Sequence, residues 1–71
     1  MTFSEKFSKD VCDGRQRMGL TQSQVAEKLG ISLRHYQNIE YGKKKPGAEL
    51  MLKLFLELRL NMEDYRDLFG L

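Results

Sequence analysis

Cysteine, proline and histidine each occur once in this 71-residue chain, as Cys12, Pro46 and His35. A single cysteine excludes an intramolecular disulfide, and a small domain without such staples points to a reducing compartment, most simply the cytoplasm. The same scarcity argues against catalysis. The nearest acid to His35 is Glu40, on the packing side of its stretch, and Cys12 has no histidine at helical spacing. No cluster of Cys, His and carboxylate side chains stands ready to ligate a metal. The reading is therefore no enzyme, no cofactor and no metal. Also missing are an apolar run of the roughly 18 to 20 residues that spans a bilayer and, in the opening MTFSEKFSKD, the apolar centre of an export signal. No membrane association is expected. No useful stretch alternates polar with apolar, so strands are not predicted, and no linker, repeat or low-complexity tract divides the chain.

What the sequence does contain is apolar residues spaced by threes and fours, which predicts one all-α domain over residues 1–71, a compact bundle of five helices. The first runs from about Thr2 or Ser4 to Met18, with Phe7, Val11 and Met18 on one face, and Gly19 ends it. The second opens at LTQSQV: Thr21 caps it, Gln24 reaches back, Leu20 packs onto Val25, and Val25, Ala26 and Leu29 form the buried stripe. Gly30, Ile31 and Ser32 then lead into a third helix, which stops at Gly42 before KKKP. A fourth is expected over about 48–59 and a fifth over about 62–69 after the cap Asn61, with Leu60 packing onto Tyr65.

Charge is uneven along this plan. Residues 1–46 hold nine Lys/Arg against five Asp/Glu, whereas residues 47–71 hold three against five. The first two-thirds suit a polyanion. On the third helix Tyr36 and Ile39 point toward the core, and Arg34, Gln37, Asn38 and Tyr41 lie opposite, with Leu33 and His35 on the flanks. Arg34, Gln37 and Asn38 can donate and accept at base edges, arginine with guanine and Asn or Gln with adenine, while Leu33 can meet a thymine methyl, and His35 and Tyr41 are expected at the DNA backbone. Lys43, Lys44 and Lys45 follow where phosphates would run, and Gln22 and Ser23 at the start of the second helix can add donors to one phosphate.

The run GLTQSQVAEKLGISLRHYQNIEYGKKKP, Gly19 to Pro46, resembles the helix-turn-helix of the phage-repressor and Cro-like regulators, with the unit itself at about 21–41. Leu20, Thr21, Gln22, Val25, Ala26, Leu29, Gly30, Ser32, Ile39, Glu40, Gly42 and Pro46 carry the likeness. The resemblance implies a lambda-repressor-like DNA-binding domain whose third helix enters the major groove, and a homodimer on a two-fold operator in double-stranded DNA. It implies that Leu33, Arg34 and Asn38 touch bases, with Gln37 and His35 beside them, that Gln22 clamps a phosphate, and that the lysine loop contacts the backbone. It also implies that Arg15 pairs with Glu40. Four positions depart from the family pattern. Gly14 stands where a branched aliphatic residue is usual, Tyr36 replaces an isoleucine or valine, Leu33 is apolar where many relatives are polar, and Gly47 is a weaker cap than serine.

The rival uses of the same fold are an antitoxin and a protein-binding adaptor, each with an unidentified protein partner. Gln22, Arg34, Asn38 and the lysines argue against lost DNA contact, and an antitoxin would normally show a tail beyond the fifth helix. The C-terminal helices, 48–69, carry more apolar surface than one small core covers. Ala48, Met51, Leu52, Leu54, Phe55 and Leu58 fill a core-facing stripe, and Leu50 and Leu56 widen it to an arc of about 240°. A dimer interface is expected there, with Leu56, Tyr65, Phe69 and Leu71 as contacts.

Overall fold

Among the described residues, three of the four α-helices start where a side chain holds their free amides. In the computed structural model, which describes residues 2–69 and Phe69 by its backbone alone, α1 spans Phe3–Arg17, α2 Gln22–Leu29, α3 Leu33–Glu40 and α4 Ala48–Glu57. Thr2 and Glu5 cap α1 reciprocally, Thr21 and Gln24 do the same for α2, and the Ser32 hydroxyl accepts from the His35 amide at 3.0 Å at the start of α3. Only α4 begins without a side-chain cap, at Gly47.

Helical spacing then delivers one apolar face from each element to a common centre. Phe7 and Val11 of α1 meet Val25, Ala26 and Leu29 of α2, Tyr36 and Ile39 of α3, and Leu54, Phe55 and Leu58 at and beside the end of α4. Leu20 and Leu60, expected to pack just outside a helix start, lie half-buried against this core, as does Ile31 before α3. One end is aromatic: Phe3 stacks on Phe7 at 5.5 Å, and Phe55 meets the Tyr65 ring edge-on at 5.3 Å. Gly14 brings α1 close to the segment after α4, where an added Cβ would come within 3.0 Å of Leu60 and 3.3 Å of Leu58. The missing side chain at that position is thus filled by close packing.

Three expectations need correction. The fifth helix is absent as an α-helix; two 3-10 turns, Met62–Tyr65 and Asp67–Phe69, take its place. The Asn61 side chain accepts from Glu63, two residues on, and the backbone pairs Asp64 with Asn61 and Arg66 with Glu63, a tighter winding than the α-helix. Glu63 and Asp67 would also face each other as like charges one α-turn apart. Secondly, Leu52, 51 % exposed, and Ala48 point outward, while Leu50 lies half-buried against the core, so Leu50 and Leu52 exchange their expected places. Met18, placed on the buried face of α1, is also exposed.

Candidate nucleic-acid interface

The geometry begins at the turn between α2 and α3. Gly30 takes φ 71°, which lets the Ile31 amide donate back to Ala26 at 3.0 Å and reverses the chain within three residues. Ser32 immediately caps the next helix. With Tyr36, Ile39 and Glu40 buried, the side of α3 left outward carries Leu33, Arg34 and Tyr41 exposed and His35, Gln37 and Asn38 half-buried. All six come from the residues expected to face DNA. None carries a negative charge.

The one acid of α3 is neutralised from α1. Arg15 Nε donates to Glu40 Oε2 and Arg15 Nη2 to Glu40 Oε1, both at 2.9 Å, and Arg15 Nη1 donates to the Leu20 carbonyl at 2.9 Å. The Glu40 side chain is only 3 % exposed. Burial works against its charge, but donors from Arg15 and then its other neighbours outweigh that and hold the carboxyl below the usual glutamate range. Hydrogen bonding to Glu40 correspondingly raises Arg15 above its ordinary value. The pair ties α1 to the helix that faces outward.

Gln22, expected as a phosphate clamp, is drawn into this network. Its Nε2 donates to Glu40 Oε1 at 3.2 Å and to the Tyr41 hydroxyl at 3.1 Å, while its Oε1 accepts from Gln37 Nε2 at 3.1 Å. The contacts run between helices at separations of 15 to 19 residues, so no local pattern in the sequence announces them. Ser23 remains exposed in the first turn of α2.

The lysine loop is held by backbone. Gly42 at φ 74° allows Lys43 and Lys44 to donate to the Asn38 carbonyl at 2.8 and 3.1 Å, which fastens the loop to the end of α3. Lys43, Lys44 and Lys45 are exposed, but Lys45 sits 5.0 Å over the Phe3 ring and is therefore turned toward α1. His35, Lys44, Lys45 and Lys53 line one groove with Gly47, Ala48 and Glu49 at the uncapped start of α4.

Of the residues expected at a dimer interface, Leu56 is 70 % exposed, whereas Tyr65 is 2 % exposed within the chain's own core, its hydroxyl donating to Asp10 at 2.6 Å. Tyr65 is thus withdrawn from the expected interface, because Phe3 of α1 and Phe55 of α4 flank its ring and Asp10 of α1 accepts from its hydroxyl. The Phe69 side chain and Leu71 lie outside the described residues. Among the described residues no group of three or more His, Cys, Asp or Glu could hold a metal, and no helix is long and apolar enough to cross a membrane.

A protein-family model described as helix-turn-helix matches residues 13–65, from the middle of α1 through Tyr65. No curated protein and no solved structure matches the chain.

Proposed function

Because the chain belongs to the Cro/C1-type helix-turn-helix family, whose domains bind DNA and regulate transcription, we propose that it is a cytoplasmic repressor that binds a palindromic operator as a homodimer. The observation that carries this reading is the outward face of α3: Leu33, Arg34, Gln37, Asn38 and Tyr41 without a free carboxylate, next to the exposed Lys43 and Lys44. Arg34 and Asn38 read base edges in the major groove, and Leu33 packs on a thymine methyl. Lys43, Lys44 and the amides at the start of α2, including that of Ser23, hold phosphates, with His35 and Lys45 at the margin.

The two-fold arrangement is supported by an exposed apolar surface on α4. Ala48, Leu52 and Leu56 form one row on α4, and this row continues into an apolar groove of about 330 Å3 lined by Phe3, Met51, Phe55, Met62 and Tyr65. A second copy packed there would bury this apolar row and relate the two α3 helices by a two-fold axis, the symmetry of a palindromic site.

Selection of bound sites from a random duplex pool tests the class and the symmetry together. A two-fold motif with half-sites about one helical turn apart is expected. Lys44→Ala should then weaken binding to all sequences alike, whereas Arg34→Ala or Asn38→Ala should relax one base position in each half-site. Enrichment of no motif, with equal affinity for every duplex, would reject sequence-specific regulation.

A further inference from the structure

We infer that Gln22 acts as a positioning residue, fixing the amide of Gln37 in the orientation that reads adenine. The inference rests on the DNA-binding reading above and adds to it which base Gln37 selects and why.

The argument follows the donors and acceptors outward from a charge. Glu40 is ionised against Arg15, so its oxygens can only accept. The atom of Gln22 that lies 3.2 Å from Glu40 Oε1 must therefore be its nitrogen, and its oxygen then faces Gln37. An oxygen at 3.1 Å requires a nitrogen opposite, so Gln37 presents Nε2 to Gln22 and turns Oε1 away. The negative charge of one buried carboxylate thus sets the direction of two amides in succession. A free glutamine would turn over readily, because its oxygen and nitrogen differ little in shape.

After that bond Gln37 keeps one N–H and its Oε1, neither of which has a partner among the described residues. Gln37 lies one α-turn from Leu33 on one side and from Tyr41 on the other, both of them exposed. One donor and one acceptor side by side match N7 and the N6 amino group of adenine in the major groove. Guanine offers two acceptors there and would leave Oε1 facing another oxygen. Gln22 Nε2 has meanwhile placed both of its hydrogens, on Glu40 and on the Tyr41 hydroxyl. Its side chain is left with no proton for a phosphate.

The test compares site selection by the wild-type chain, Gln22→Met and Gln37→Glu, with thermal unfolding used to show that each variant is folded. The wild-type motif should contain one adenine per half-site favoured over guanine by about 5- to 150-fold. Gln37→Glu should move that position toward cytosine, whose amino group needs an acceptor. Gln22→Met should lower the preference at the same position to near none and leave the positions read by Arg34 and Asn38 unchanged. If Gln22→Met instead weakens every sequence equally and keeps the adenine, Gln22 is a phosphate clamp and the inference is wrong. Should Gln22→Met not fold, Gln22→Ala takes its place and is read in the same way, and an unaltered motif in Gln37→Glu overturns the inference in either case. A folded wild-type chain that selects no motif overturns the DNA-reading proposal itself, and with it this one.

Discussion

Tyr36 is the residue where this chain departs furthest from what its place in the core would favour. It is fully buried, and its hydroxyl makes no well-formed hydrogen bond among the described residues, although it lies close enough to the Glu40 carboxylate for each to shift the other's pKa. Burial, and then that carboxylate, push the hydroxyl's pKa up. Removing an unpartnered polar atom from a core removes its desolvation cost, so Tyr36→Phe should leave stability unchanged or raise it by about 1 kcal/mol. Urea unfolding checks this, and a loss beyond 1 kcal/mol would mean that the hydroxyl is bonded after all. Arg15 and Glu40 should behave in the opposite way: removing either alone strands a buried charge and should cost about 3 to 5 kcal/mol, with strong coupling in a double-mutant cycle. Their pH dependence follows from the direction of the shift. Glu40 is held below its ordinary pKa in the folded chain, so its contribution is complete above the unfolded value, near 4.5, and is lost as pH falls through the lower folded value. Unfolding midpoints measured between about pH 2 and 6 should drop less steeply in Arg15→Met with Glu40→Gln than in wild type; equal slopes would remove the pair as the cause. The pairing was legible only through resemblance, since 25 residues separate the two side chains. The amide relay on its outer side was not legible at all.

Elements were read well where their ends carried their own chemistry. Thr21 with Gln24, Ser32, Gly30 and Gly42 all act locally, and α2 and α3 begin and end where those residues placed them. The C-terminal third lacks such punctuation. α4 ends through Arg59, which takes φ 53° while Leu60 donates to the Phe55 carbonyl at 2.9 Å, the same closing pattern that glycine serves elsewhere in the chain. An arginine in that position gives no sequence signal, and the helix stops two residues before the expected end. The left-handed conformation costs a residue with a Cβ about 1 to 2 kcal/mol, part of which glycine would return as extra freedom in the unfolded chain. Arg59→Gly should therefore raise stability by about 0.5 to 1 kcal/mol, read as a higher thermal midpoint. A lower midpoint would show that Arg59 contributes charge interactions beside Asp10, Asp13 and Asp64, with which it lines a polar groove. The fifth helix failed for a related reason: eight residues with three carboxylates among them could not outweigh the pull of Tyr65 into a core made by α1 and α4.

At the scale of the whole molecule two faces remain to be used, and they lie on different elements. The charged face belongs to α3 and the lysine loop; the apolar one runs along α4, where Leu52 is 51 % and Leu56 70 % exposed, to Met62 at 59 %. Apolar excess in this region was visible in the sequence, but its position was not, because helical spacing alone could not tell which of Leu50 and Leu52 the core would claim. The placement of Tyr65 sharpens the expectation. With that ring closed inside the chain, the interface of the proposed homodimer is left with α4 and Met62 and not a fifth helix. Two copies related by a two-fold axis through the Leu52 and Leu56 row would present their α3 helices in opposite senses, as a palindrome about 34 Å between half-sites requires. Leu52→Glu with Leu56→Glu should therefore turn a dimer at tens of micromolar, seen by sedimentation equilibrium, into a monomer with unchanged helix content, since neither side chain belongs to the core. Its affinity for a full operator should fall by about tenfold or more as the second half-site ceases to act through the first, while binding to an isolated half-site stays the same. A wild-type chain that is monomeric both free and on the operator, with the double variant binding equally well, would place the dimer contact elsewhere or remove it.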